Sequence, residues 1–427
     1  MNIHFTGIGG IGASALAKYY LSQGHNVSGS DLSSSEITEE LKKSGAKIFI
    51  GKHAALNLPA GTKKSVYTAA ASFTNPELRE AQKRKIKISS YAEAVGELTK
   101  KYKTITISGA HGKSTTTALI ALILREGYCD PTVIVGTKIK EFGNSNFRKG
   151  YGPYLVLEAD EWNKSFLNYH PYLAVVTNID AEHLDTYKTI EAVEETFTEY
   201  LSKVPRDGAI IVNADDPRLK KIAGKFGKKV TWYSTYDREA EFIRRIIRIP
   251  GEHNVSNALA ALKTARLLGI HEPNIMRIFS CFNGCWRRFE LKGYINGAYL
   301  FNDYGHHPRE IKATINAARS RFPFRRIWCV YQPHQRQRLS YLWDDFITAF
   351  DHADRVCLLP VYDAAGRETI SAKKKINSSR LAKELIFRGK DARHFFSLKK
   401  AREFITAEAR TGDIILVMGA GDIYKLI

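Results

Sequence analysis

Residues 104–117 read TITISGAHGKSTTT, and Gly109, Gly112, Lys113 and Ser114 among them have the types and spacing to hold phosphate. Glycines let backbone N–H groups come close to an anion, and a helix that opens directly after them aims its amides and its dipole at that anion. Lys113 can reach the β- and γ-phosphates of a nucleotide, and the Ser114 hydroxyl is a hard ligand for Mg²⁺. The pattern is GxxGKS and not the full Walker spacing, because Ile107 stands where that spacing wants glycine. An ordinary glycine turn before a core helix is the bland alternative, but it gives a Lys-Ser pair at that point no packing purpose. A second glycine set, Gly7, Gly9, Gly10 and Gly12, is followed about 20 residues later by Asp31, the fingerprint of a pyrophosphate on a helix N-terminus with a ribose, sugar or base on the acid. That motif serves a dinucleotide or a nucleotide-sugar and does not choose between them.

Acids gather after two apolar stretches. Glu158, Asp160 and Glu161 follow the first, and Asn178, Asp180, Glu182, His183 and Asp185 follow the second. Taken singly, Glu158 or His183 would read as a surface salt bridge or a loop cap. Beside a phosphate cradle, they read as candidate Mg²⁺ ligands. His306 and His307 precede Pro308; with no third ligand at a fitting spacing, they read as hydrogen-bonding side chains lining a cleft rather than a metal pair.

The elements that must position these residues alternate strand and helix. A strand at 105–108 leads into the glycines, and 115–124 is apolar enough for a buried helix. At the N-terminus a strand at 2–6, a helix at 13–21 and a strand at 26–30 form a Rossmann βαβ unit. Weaker alternation follows, with strands at 47–50, 65–68 and 86–88, a helix opening at Asn75-Pro76-Glu77 and another over 91–98. Strands at 154–158 and 172–177 end in the acids, where parallel sheets present ligands. A strand at 209–213 and a helix opening near Gly251 complete a second unit. Hairpin strands around 293–300, a helix over 309–319 and strands at 326–331 and 413–418 make a third. The expectation is an α/β chain in three domains, 1–98, 99–285 and 286–427.

The composition agrees with globular domains: 427 residues, 44% hydrophobic and 25% charged. The apolar run 118–124 is far too short to cross a bilayer. MNIHFTGIGG has no basic n-region, so no signal peptide is expected, and the expected location is the cytoplasm. Five scattered cysteines suit free thiols in a reducing compartment better than disulfides or zinc. The net charge of +20 is spread over small clusters, including 83–87, 244–248 and 373–375, with no aromatic-interleaved stripe. It reads as a basic solvated surface and an anionic small-molecule substrate, not a nucleic-acid partner.

HFTGIGGIGASALA, ISGAHGKSTTTALI, LEADE, TNIDAEHLD, GEHNVSNALAA, RRFE, NDYGHHPREI, QPH and MGAGDI occur in that order. Together they resemble the Mur ligase family over essentially the whole chain, most closely the branch that joins L-alanine to UDP-N-acetylmuramate at the expense of ATP. The resemblance implies a Rossmann-like UDP-sugar domain, a central P-loop-type ATPase domain with a mostly parallel sheet, and a C-terminal Rossmann-like domain for the amino acid. It implies that Gly7, Gly9, Gly10 and Gly12 cradle the UDP pyrophosphate, with Asp31 and His53 near the nucleotide. ATP would be held by Gly109, His111, Gly112, Lys113, Ser114 and Thr115, with His253, Asn257 and Arg288 further along the chain and Asp303 on the ribose. Ser114, Glu158 and His183 would hold Mg²⁺. Tyr304, His306 and Arg338 would line the junction of muramoyl carboxylate and amino acid, and Lys113, His306 and Arg338 are the catalytic candidates.

The chain departs from the family in places. GAHGKST replaces GTHGKTT but keeps a hydroxyl at Ser114. EADEWNKSF alters a substrate-facing loop at Trp162 and Asn163. QPHQRQR puts Gln335 where an arginine would clamp a carboxylate. The segment between Trp232 and Gly251 is short, so a peripheral hairpin of the central domain is expected to be missing. A ligase for another amino acid or a recycled peptide, and more distantly an NAD-dependent oxidoreductase built on Gly7–Gly12, are the alternatives. Whether the chain is a monomer or a homodimer is left open.

Overall fold

The computed structural model describes residues 1–182, 184–362 and 377–427, and its strands form three sheets. His183 and the basic cluster 373–375 lie outside the described residues. By its internal contacts the chain divides into two compact units, one of residues 1–246 with 256–281 and the other of 247–255 with 282–427.

In the first unit, β1 (Asn2–Thr6), β2 (Asn26–Asp31), β3 (Lys47–Ile50), β4 (Lys64–Tyr67) and β5 (Lys87–Ser90) make a parallel sheet in the order β3-β2-β1-β4-β5. The order reverses at β1, so the glycine turn after β1 lies at the switch point where such sheets take ligands. Around this sheet are α1 (Ile11–Ser22), α2 (Glu36–Lys43), α3 (Pro76–Lys83) and α4 (Tyr91–Thr99).

A second sheet of the same unit contains β6 (Lys103–Ser108), β7 (Thr132–Ile139), β8 (Ser145–Arg148), β9 (Tyr154–Glu158), β10 (Leu173–Val176), β11 (Ala209–Asn213) and β12 (Val230–Tyr233). Its order is β12-β11-β10-β6-β9-β7-β8, with only the β7–β8 pair antiparallel. β6 is central, between β10 and β9. The helix after it, α5 (Lys113–Glu126), is longer than its sequence suggests, and Ser114–Leu124 are all buried. A helix apolar all round belongs inside a domain. One apolar core runs from Ile3 and Phe5 of β1 to Leu155 and Val176 of the second sheet.

The short segment after β12 carries the helix Arg238–Ile246 and no strand, so the expected loss of a hairpin there agrees with the fold. The second unit holds β13 (Glu290–Ile295), β14 (Ala298–Asp303), β15 (Ile327–Tyr331), β16 (Arg355–Leu358), β17 (Asp391–His394) and β18 (Ile414–Met418) in the order β13-β14-β18-β15-β16-β17. β13–β14 is the antiparallel hairpin, and the other pairs are parallel. Apolar clusters cover both faces of this sheet, as a parallel sheet requires. Cys285, Cys329 and Cys357 are buried and Cys281 is exposed, all as free thiols.

The candidate nucleotide, phosphate and metal site

Three neighbouring parallel strands, β9, β6 and β10, deliver their C-terminal ends to one edge of the second sheet. From β6 comes the cradle. Gly109 and Gly112 have φ of +123° and +84°, which glycine adopts freely. Gly112 stands at the N-cap of α5, and no side chain caps that end. The first amides of α5 are thus set out for an anion. A side chain on Gly112 would collide with Asn257 Oδ1, so Asn257 seats the loop; it also accepts from Thr116 Oγ1 at 3.2 Å. Thr115 lies buried in the first turn of α5.

From β10 comes a clamp. Asn178 Oδ1 accepts from the His111 amide at 2.9 Å, while Asn178 Nδ2 and Thr177 Oγ1 donate to the His111 carbonyl. The ring of His111 pairs with Asp180 at 3.0 Å.

From β9 come the acids. Ser114 Oγ donates to Glu158 Oε1 at 3.0 Å, and the Gly136 amide of β7 donates to Glu158 Oε2 at 2.7 Å. Lys113 Nζ reaches Glu161 at 2.9 Å and the Gly109 carbonyl at 2.7 Å, with Asp160 at 3.9 Å. Burial disfavours the Lys113 charge, but the carboxylates of Glu161, Asp160 and Glu158 outweigh it and hold the ammonium well above the ordinary lysine range. A serine hydroxyl and a carboxylate held side by side are hard oxygen donors that fit Mg²⁺. Glu161 was legible only as one acid among three, and Gly136 gave no signal in the sequence.

The other glycine turn is tied by its own acid. Asp31 Oδ2 accepts from the Gly9 amide at 2.9 Å, so this carboxylate engages the turn itself. Gly7 has φ of +84° and abuts Thr68, while Gly10 caps α1. A Cβ on Gly12 would lie 2.9 Å from Tyr91 Oη. Burial, then the charges of Glu158 and Asp160, push the Tyr91 phenol up. Tyr91 therefore stands between the first glycine turn and the acids of the second sheet.

Beneath that turn lies a feature that sequence reasoning missed. Glu77 is fully buried and accepts from Ser30 at 2.6 Å, Asn57 at 2.8 Å and Thr6 at 2.9 Å. His4 and His53 approach it at 3.3 and 3.2 Å. Burial raises its pKa, but hydrogen bonds from His4, Ser30 and Asn57 prevail and bring it down to about 2.

The remaining predicted residues belong to the second unit. His253 is exposed near the start of the helix Glu252–Leu267, four residues before Asn257 on the same helix. Asp303 ends β14, buried, and accepts from the amides of Gly305 at 2.7 Å and Phe289 at 2.8 Å; burial pushes its pKa up despite nearby Arg288. The Arg288 guanidinium lies 5.2 Å from the Tyr304 ring centroid and 3.7 Å from Glu310. His306 Nδ1 lies 3.2 Å from the Tyr304 carbonyl and 3.3 Å from Glu310, so Glu310 orients the ring. His307 Nδ1 caps the helix Pro308–Arg321 by accepting from the Arg309 amide at 3.3 Å. Arg338 donates to the His334 carbonyl at 3.4 Å, and Gln335 sits with φ of +67° at the start of the helix Arg336–Tyr341.

Comparison with known proteins gives these geometries a family context. Residues 2–103 match the "Mur ligase family, catalytic domain", 107–265 the "Mur ligase middle domain" and 287–421 the "Mur ligase, glutamate ligase domain". The chain is 40% identical over 451 residues to a UDP-N-acetylmuramate--L-alanine ligase of Acetivibrio thermocellus, covering 100% of this chain and 94% of the relative. It is 37% identical over 447 residues to the Clostridium kluyveri protein of that name, covering 99% and 96%. Among solved structures, the UDP-N-acetylmuramate-alanine ligase MurC of Thermotoga maritima superposes with a TM-score of 0.83 at 26% identity, covering 100% of this chain and 97% of that one. A murein peptide ligase of Psychrobacter arcticus shares the fold, with a TM-score of 0.73 at 21% identity over 100% and 97% of the two chains.

Proposed function

Because the chain belongs to the Mur ligase family, we propose that it joins L-alanine to the carboxylate of UDP-N-acetylmuramate, consuming ATP, in peptidoglycan precursor synthesis. The chain is an ATP-dependent ligase with a three-domain α/β architecture. The observation that carries the reading is the cluster of Lys113, Ser114 and Glu158 at the mouth of the α5 N-terminus, in the same compact unit as the second glycine turn.

A carboxylate is a poor acyl donor because its leaving group would be oxide. In this reading it first attacks the γ-phosphate of ATP, and the resulting acyl phosphate is then opened by the amine of L-alanine with loss of phosphate. The first step brings two anions together. Lys113 and the amides of α5 offset that repulsion and hold the triphosphate in line. Ser114 and Glu158, with His183, are the residues that would hold Mg²⁺, which when bound neutralises phosphate charge. The second step needs an uncharged amine, and His306, oriented by Glu310, serves as its base or orienter. Arg338 positions the amino-acid carboxylate. Glycines 7, 9, 10 and 12, with His53, take the UDP moiety, while His253, Asn257, Arg288 and Asp303 take the nucleoside end of ATP. Domain limits near 98 and 285, action in the cytoplasm, and small-molecule substrates with neither nucleic acid nor membrane as partner, on a monomer or a homodimer, complete the reading. No described helix is long and apolar enough to cross a membrane.

The test is phosphate release with ATP, UDP-N-acetylmuramate and a panel of amino acids and muropeptides. Turnover with L-alanine is expected. Turnover with a tripeptide and none with L-alanine would replace the reading with a peptide-recycling one.

A further inference from the structure

Two residues of β7, Gly136 and Lys138, reach toward the elements that carry the two anion loops of the first unit. Gly136 donates its amide to Glu158. Two residues on, Lys138 has a side chain only 1% exposed, and its ammonium meets Glu36 at 2.7 Å and also Glu40. Both acids belong to α2, and Glu40 takes a second cation, Lys18, at 3.1 Å. α2 in turn closes the first glycine turn: Thr38 Cγ2 would lie 3.1 Å from a Cβ on Gly9, whose amide Asp31 holds. A continuous path therefore runs from the acid beside Ser114, through β7 and α2, to the turn after β1.

We propose that Lys138 is a positioning residue, tying α2 to β7 so that the sugar-nucleotide turn keeps its register with the phosphate and metal acids. The proposal rests on the functional reading above. The chemistry suits the task. A buried ammonium must stay paired, and two carboxylates one turn apart on the same face of α2 hold it. Gly136 and Lys138 lie on the same short strand, so β7, held at Glu158 through the Gly136 amide, fixes where α2 sits, while Glu158 keeps its own contact with Ser114.

The experiment is steady-state phosphate release at saturating L-alanine, varying UDP-N-acetylmuramate and ATP in turn, with Tm recorded for each variant. Lys138→Met keeps the stem and removes the charge. We expect its KM for UDP-N-acetylmuramate to rise about tenfold while its KM for ATP stays within about twofold. Lys138→Arg should remain near wild type. Unchanged KM values in Lys138→Met overturn the proposal, and so does a parallel rise in both KM values with a lower Tm, which marks a merely structural lysine. Wild-type protein that releases no phosphate from these substrates sinks the functional reading and this proposal together. Wild-type turnover with an unmoved Lys138→Met sinks the proposal alone.

Discussion

The Gly136 amide and the Glu158 carboxylate are 2.7 Å apart, on β7 and β9, and there is no room between them for a side chain. A Cβ on Gly136 would meet Glu158 Oε1 at 2.8 Å. Gly136→Ala must therefore displace the acid that Ser114 also holds. Displacing a catalytic ligand by about 1 Å costs on the order of 10²-fold in rate. We expect kcat/KM for ATP to fall by that factor and the Mg²⁺ concentration giving half-maximal rate to rise. A Mg²⁺ titration of the phosphate-release rate checks both.

Lys113 carries a separate expectation. Lys113→Met removes the charge that the proposed function aims at the transferring phosphate, and with it the ammonium that Glu161, 3% exposed, meets at 2.9 Å. Phosphate release should fall by about 10³-fold or more. The first sheet and its glycine turn do not depend on Lys113, so calorimetry should find UDP-N-acetylmuramate bound within about threefold of wild type. Near-normal turnover would refute the assignment of the cradle.

Glu77 gives the first sheet a pH dependence. Its folded pKa, about 2, lies below the ordinary carboxylate value of 4.5. A depressed folded pKa adds stability above the unfolded pKa, and that stability is lost as pH falls through the folded one. From 4.5 to about 2 the linkage is worth about 3 kcal/mol in order of magnitude. Glu77→Gln should therefore destabilise β1 and β2 at pH 7, and the difference from wild type should shrink between pH 5 and pH 2. Hydrogen exchange of the β1 and β2 amides reads this directly, and a pH-independent difference would contradict it.

Gln335 is the fourth test. It already occupies left-handed backbone at φ of +67°, so another unbranched side chain there adds no new strain. Gln335→Arg should lower KM for L-alanine by about three- to tenfold by adding a charge-assisted contact to its carboxylate. Tm should move by less than about 2 °C. An unchanged KM would separate this position from the amino-acid carboxylate.

The parts legible in the sequence were those whose partners are near in the chain. Lys113 and Ser114 follow Gly112 directly, and the strands at 2–6 and 154–158 were visible as apolar runs ending in glycines or acids. What escaped depends on distance along the chain. Gly136 meets Glu158 across 22 residues, and Lys138 meets Glu36 across 102. Glu77 looked like the first-turn acid of a capped helix, because nothing local says that β1 and β2 will close over it. β7 was missed because glycine, threonine and lysine interrupt its apolar run, and β12 because VTWY is only four residues long. Asp31 shows the opposite case: the spacing located it, while its hold on the Gly9 amide required the fold.

The Glu161 carboxylate that Lys113 grips at 2.9 Å has the charge sign of a phosphate oxygen. In the proposed role of Lys113, an incoming nucleotide would not meet a naked cation; it would displace a resident anion, and binding would be an exchange of counterions. Glu161 must then find a proton, a metal ion or a path toward solvent. Heat measured in buffers of different ionisation enthalpy will show which: proton uptake if the displaced acid is neutralised, none if it is re-paired.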